Sequence, residues 1–183
     1  MKNVILSSLL LSMVFLLVAC GGEDTTEQAQ ETAAADDGVR TIEVIGTDDM
    51  RFVVAEAQDG LVTGGAAGQY IQLESIEASP GEEIRITLRT VSNLPASAMS
   101  HNLAVLTLDA DTEAFARASL QARDNDYIAP EYEDWVIATT AMLGDGESDT
   151  ITFTVPDETG EYDYICTFPG HFSGGMVGTL IVN

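Results

Sequence analysis

From Thr41 to the end of the chain, apolar residues fall in short runs that alternate with polar ones or are rich in β-branched side chains. A period of two marks half-buried strands. It predicts strands at about 41–46, 51–56, 69–77, 83–90, 101–108, 149–155, 161–167 and 177–182. Turn residues separate them, notably Asn93-Leu94-Pro95, Gly144-Asp145-Gly146 and Pro169-Gly170. Asp111 to Arg123 breaks the pattern. Asp111 can cap a helix and Glu113 follows in its first turn. Phe115, Ala118 and Ala122 then share one helical face with Ser119, while Leu120 lies off it beside Ala116. The fold class expected is all-β, a Greek-key β-sandwich with one helical insertion before the strand at 149.

The first forty residues follow neither pattern. Met1-Lys2-Asn3 is a short positive start, and Val4 to Ala19 is almost wholly apolar. That run is short for a membrane span and right for the apolar region of a signal peptide. It ends Leu17-Val18-Ala19-Cys20, with a small residue before the Cys, which resembles the lipobox of bacterial lipoproteins. Residues 1–19 are then an export signal and Cys20 is the lipidated first residue of the mature protein. From Gly21 to about Gly38 no large apolar residue occurs, so 20–40 form a tether and 41–183 the domain. The protein is expected on the exported side of the cell envelope, held to a membrane by its lipid.

Composition narrows the function. The chain of 183 residues has 45% apolar and 20% charged residues, enough for one packed domain. Thirty acidic residues face seven basic ones, for a net charge of −23. Clustered Lys and Arg, which phosphate backbones require, are missing, so nucleic acid is excluded as a partner. Charge alone does not draw this surface to anionic lipid either. Lys2, the only Lys, leaves with the signal. A surface so acidic repels itself at low ionic strength, and a monomer is expected. We hypothesise that it suits a salty habitat; no gain in unfolding midpoint in molar salt would count against that.

The chemistry-bearing residues are few. Beyond Cys20 the chain has one Cys, Cys166, and its only two His are His101 and His171. Cys166, His171 and Met176 are spaced five residues apart in one Pro/Gly-rich loop between two strands, and His101 opens the strand at 101–108. A thiolate, two imidazoles and a weak thioether suit copper in both oxidation states, as in a trigonal His₂Cys set with a long axial Met. Zinc accepts the first three but takes Met poorly, and magnesium and calcium want oxygen. Each residue alone has a plainer role: Cys166 as a small core hydrophobe on the strand face shared with Tyr162, Tyr164 and Phe168, His101 as a hydrogen-bonded strand residue, Met176 as core filler. A Cys20–Cys166 disulfide competes, but lipidation consumes Cys20. The joint occurrence of the four favours a metal site.

Cys166-Thr167-Phe168-Pro169-Gly170-His171 followed by Met, with Met99-Ser100-His101-Asn102 upstream, resembles the azurins and the azurin-like auracyanins, which are cupredoxins. Ile45 to Phe52, Asn93-Leu94-Pro95, Asp124 to Pro130 and Val136 to Phe153 extend the likeness through most of 41–183, while 54–76 aligns poorly. The resemblance implies one type 1 copper, with His101, Cys166 and His171 equatorial and Met176 axial. It puts the Ser100 carbonyl where azurins offer a weak backbone oxygen from Gly. It makes Asn102 and Thr167 the tie between the two ligand loops, with Phe168 beside them. It also implies electron carriage rather than catalysis, through an apolar patch around His171 to which Met50, Met99, Phe168, Pro169 and Phe172 contribute. The acidic surface suggests a redox partner with a basic face, such as a cytochrome or a membrane oxidoreductase. The likeness departs from azurins in the five-residue step from His171 to Met176 and in the lack of any Cys between 21 and 165. Two rivals are a copper delivery or storage protein, which should carry Met- or His-rich tracts, and a Cys–His hydrolase with Cys166 as nucleophile. No such tract or hydrolase signature occurs.

Overall fold

The structure, a computed structural model, describes residues 38–183. The export signal, Cys20 and almost all of the tether lie outside the described residues.

Ten strands form one hydrogen-bonded network. β1 (Arg40–Thr47) runs parallel to β5 (Glu83–Val91) and turns tightly into the antiparallel β2 (Arg51–Val54). β5 also pairs antiparallel with β8 (Ser148–Thr154). On its other side β2 meets β4 (Tyr70–Ala78), which carries β3 (Leu61–Ala67) along one edge and runs parallel to β10 (Val177–Val182). β10 pairs with β9 (Gly160–Ile165), β9 with β6 (Ala104–Leu106), and β6 with β7 (Val136–Thr139). Parallel neighbours distant in sequence, β1 with β5 and β4 with β10, are the crossovers expected of a Greek-key sandwich.

The network curls over a shared core. Alternation decides which side chains enter it: Ile84, Ile86 and Leu88 from β5, Leu180 and Val182 from β10, Tyr162 and Tyr164 from β9 are all buried in one cluster. Phe52 meets the edge of the Tyr164 ring at 5.4 Å. Fully burying one such side chain contributes about 1.5–3 kcal/mol.

A second layer covers the outer face of β6 and β9. Helix α1 (Thr112–Ser119) is capped as expected, with the Asp111 carboxylate accepting from Ala114 N at 2.9 Å. Its buried residues are Phe115, Ala116 and Ser119, which pack with Ala104, Leu106, Ile128 and Ile165. The face therefore includes Ala116 rather than Ala118 and Ala122, and the helix ends four residues short of Arg123. The chain instead turns at Arg123–Asn125, so that Ile128 and Ala129 can be buried. Leu120 is 43% exposed, in keeping with its place off the face.

Two strands escaped the pattern. β3 reads LVTGGAA, with register shifts along it, and beyond Thr63 has only Gly and Ala, too small to show alternation. β7 has four residues, all half-buried. The strand expected at 101–108 is shorter, only Ala104–Leu106, and all three residues are buried because core lies on both sides. His101 sits ahead of it in a separate bridge.

Candidate metal centre

The register of β6 and β9 sets Ala104 opposite Ile165. Both chains leave the pair at the same end of the sandwich, one towards His101 and the other into the loop 166–176. This is how residues 65 positions apart meet.

The loop is closed by its own backbone. His171 N donates to Phe168 O at 3.0 Å, Met176 N to His171 O at 2.9 Å, and Cys166 N to Met176 O at 3.2 Å. The second bond ties the end of the loop to His171, and the third joins its two ends to each other. Gly170 and Gly175 hold φ of +89° and +90°, where a side chain would strain the turn. The Arg51 guanidinium donates from Nη1 to Met50 O and Gly174 O, both at 2.8 Å, and so fastens the loop to the start of β2.

His101 is held from three sides. Its backbone exchanges two hydrogen bonds with Leu143, each 2.9 Å. Its ring lies against Gly46, where a Cβ would come within 2.7 Å of the imidazole. Just beyond, the Asp48 carboxylate accepts from Ser92 Oγ at 2.5 Å, from Asn93 N at 3.0 Å and from Asn93 Nδ2 at 3.3 Å. These bonds, the Ser92 one foremost, lower the Asp48 pKa. They latch the β1–β2 turn to the segment leading to His101. Gly46, Asp48, Ser92 and Leu143 were not among the expected site residues. Gly46 and Asp48 lie in the hairpin stretch that carries the resemblance, but only the packing reveals what they touch.

The donor atoms converge. Cys166 Sγ stands 3.3 Å from His171 Nδ1 and 3.9 Å from His101 Nδ1, and the three potential ligand atoms all lie within 4.8 Å of one another. The two imidazole rings are 4.8 Å apart between centroids. The Ser100 carbonyl is 4.0 Å from the sulfur. All three donor residues are buried, His171 at 2% exposure. Met176 is fully buried in the same core cluster as Cys166. The expected tie between the two ligand segments is present. Asn102 Nδ2 donates to Thr167 Oγ1 at 2.8 Å, and Thr167 N donates back to Asn102 Oδ1 at 2.8 Å. Of the apolar patch, Met99 is 8% exposed; Met50, Phe168 and Phe172 are half-buried, and Pro169 is exposed. Cys20 lies outside the described residues.

Burial dictates the protonation states. Desolvation lowers both imidazoles to about 4, with mutual repulsion adding to His101 and Asp48 opposing it. Both are therefore neutral ligands at pH 7. Burial pushes the Cys166 thiol up to about 12, against the pull of the Asn102 and Phe168 backbone N–H groups. Turning such a thiol into a thiolate at neutral pH takes a cation among the donors.

Ligands of a small trigonal ion, with bonds of about 2.0–2.3 Å, stand about 3.5–4 Å from each other. The 3.9 Å sulfur-to-nitrogen spacing falls in that range and the 3.3 Å one just below it, and two nitrogens with one soft sulfur suit copper. The family model for copper-binding proteins of the plastocyanin/azurin type matches residues 61–183.

The chain belongs to the plastocyanin/azurin family.

Among curated relatives, azurin of Alcaligenes faecalis is 34% identical over 127 residues, covering 68% of this chain and 97% of that protein. Azurin-2 of Alcaligenes xylosoxydans xylosoxydans is 38% identical over 125 residues, covering 67% and 95%. Among solved structures, dithionite-reduced auracyanin from Roseiflexus castenholzii superposes with a TM-score of 0.59 at 25% identity, over 78% of this chain and 96% of its own. Auracyanin B gives the same TM-score at 28% identity, over 79% and 88%. As in the azurin/auracyanin group, the fold is a β-sandwich with few helices, and the His101–Cys166–His171 cluster with its buried Met fits one type 1 copper.

Proposed function

We propose that the protein is an exported, lipid-anchored carrier of single electrons. His101, Cys166 and His171 would hold the copper, with Met176 and the Ser100 carbonyl as weaker contacts. The observation that carries this reading is the burial of one thiol sulfur and two imidazole nitrogens within 4.8 Å of one another. Bound copper supplies a reversible change between Cu(I) and Cu(II). The protein's part is to hold the donors still, keep water away and set the potential. A network of strands with ligands at one end changes shape little between oxidation states. Backbone N–H groups of Asn102 and Phe168 temper the charge on the sulfur. Among the described residues the reading assigns no catalytic group beside the donors.

Electrons would leave by way of His171, whose ring is tilted against Phe168 at 4.7 Å, through the patch formed by Met50, Phe168, Pro169 and Phe172. Redox encounters use small, short-lived interfaces. The net charge of −23 favours a partner with a basic face.

Loading the purified protein with Cu(II) tests the reading. An intense blue colour that bleaches on reduction and returns on oxidation supports it. A colourless protein that keeps Cu(I) would instead be a delivery or storage protein, and a metal-free thiol that takes up acyl groups would be a hydrolase. Electron exchange with a basic redox protein should slow steeply as ionic strength rises; a flat salt dependence removes the basic partner. Met176→Gln should retain copper and shift its potential, and an unchanged potential would remove Met176 from the copper's ligands.

A further inference from the structure

Asp126 and Tyr127 are consecutive non-glycine residues with positive φ, +49° and +56°. Such a conformation is strained for a residue with a side chain and persists where the surroundings impose it. The surroundings here do. Asn125 N and Tyr127 N both donate to Ala122 O at 2.9 Å, Ile128 N donates to Asn125 O at 2.8 Å, and the Asn125 side-chain amide donates to Ile128 O at 2.8 Å. Ile128 and Ala129 then anchor the segment by burial, and Ala129 N reaches Ser119 Oγ in α1 at 3.3 Å.

What the turn touches is specific. The Asp126 carbonyl lies 3.5 Å from Asn102 Nδ2, whose amide also makes the 2.8 Å bond to Thr167 Oγ1. The Tyr127 ring meets the Phe168 ring edge-on at 5.7 Å. Asn102 directly follows His101, and Phe168 lies two residues beyond Cys166. They come from different ligand segments, and the turn contacts one through its backbone and the other through its ring.

We propose that the Asp126–Tyr127 turn is a positioning device that holds Asn102 and Phe168, one from each ligand segment, in place and so helps set the potential of the site. The potential half of this rests on the copper reading above. The positional half concerns this chain's own residues alone. The strained backbone sets the half-buried Tyr127 ring edge-on against Phe168. Tyr127 touches neither ligand nor partner; it acts through Phe168.

Tyr127→Asn removes the ring while keeping a residue that tolerates positive φ, and Tyr127→Leu serves should that variant not fold. Amide hydrogen exchange is measured on the metal-free full chain, and the potential on the copper-loaded one. Loss of the ring should speed exchange at Asn102 and Phe168 by about tenfold, with Leu88 and Leu180 in the core unmoved, and should shift the potential. Tyr127→Phe should restore both values. Asp126→Gly, which keeps the carbonyl, should leave both as in the wild type. Unchanged exchange at both amides in the ring-less variants overturns the proposal. A wild type that binds copper without turning blue defeats the copper reading instead, and the exchange data then still decide the role of the turn.

Discussion

The site is built from two unlike halves. Cys166, His171 and Met176 lie within eleven residues, and their loop is closed by its own backbone hydrogen bonds. His101 comes from 65 positions away, and nothing local holds it. It depends on a bridge to Leu143, on the open face of Gly46 and on the Asp48 latch. The loop thus determines which atoms meet the metal, while the remote half determines whether the second imidazole reaches it. A short loop tolerates change in the sandwich; a ligand held by three distant segments does not.

The largest effect should come from the loop half. Cys166→Ser replaces the soft donor with a poor one and should abolish the blue colour, read by visible absorption after Cu(II) loading; a variant that stays blue refutes the assignment. Next is acid, which acts on both halves at once. In the metal-free protein His101 and His171 titrate near 4, well below the usual value of 6.5. The unfolded chain therefore takes up protons first as pH falls. The stability they contribute is complete above about pH 6.5 and is lost progressively towards pH 4. Thermal midpoints of the metal-free protein should fall across that window, and copper should flatten the fall because both imidazoles are then occupied. A midpoint constant from pH 7 to pH 4.5 contradicts the burial argument.

The remaining substitutions separate the halves. Gly46→Ala drives a methyl group into the His101 ring and should cost about 1–3 kcal/mol by overpacking, with copper affinity falling alongside. An affinity equal to the wild type would mean that His101 is held by its backbone alone. Asp48→Asn keeps the shape of the latch but loses the charge that accepts from Ser92 and Asn93, for about 1–2 kcal/mol in denaturant unfolding. Arg51→Gln releases the Gly174 carbonyl and should cost about 1 kcal/mol or less, because that bond is partly exposed and the loop keeps its own backbone bonds. If Arg51→Gln destabilises more than Asp48→Asn, the loop is the dependent half and the comparison is reversed.

Legibility followed local patterning. β5 reads EIRITLRTV and buries every second residue, so its period was plain in the sequence. β3 reads LVTGGAA, where small side chains leave no period to detect, and β7 is too short to have one. The helix was recognisable from its cap, yet its buried face was not, because Ala116, Ala118 and Ala122 look alike until Phe115 is packed. The donor set stood out by scarcity, since the chain's two His accompany the one Cys of its domain. The supports of His101 did not. Gly46 reads as a turn residue and Asp48 as one acid among thirty.

By itself, then, the sequence determined the kind of sheet and the chemistry of the metal site, because strand period and ligand softness are properties of single residues and their near neighbours. Only the tertiary structure decided how His101 is held, which glycine must stay a glycine, and which turn touches both Asn102 and Phe168. Those are contacts between strands distant in the chain, and they exist only once β1, β6 and β9 are brought together in register.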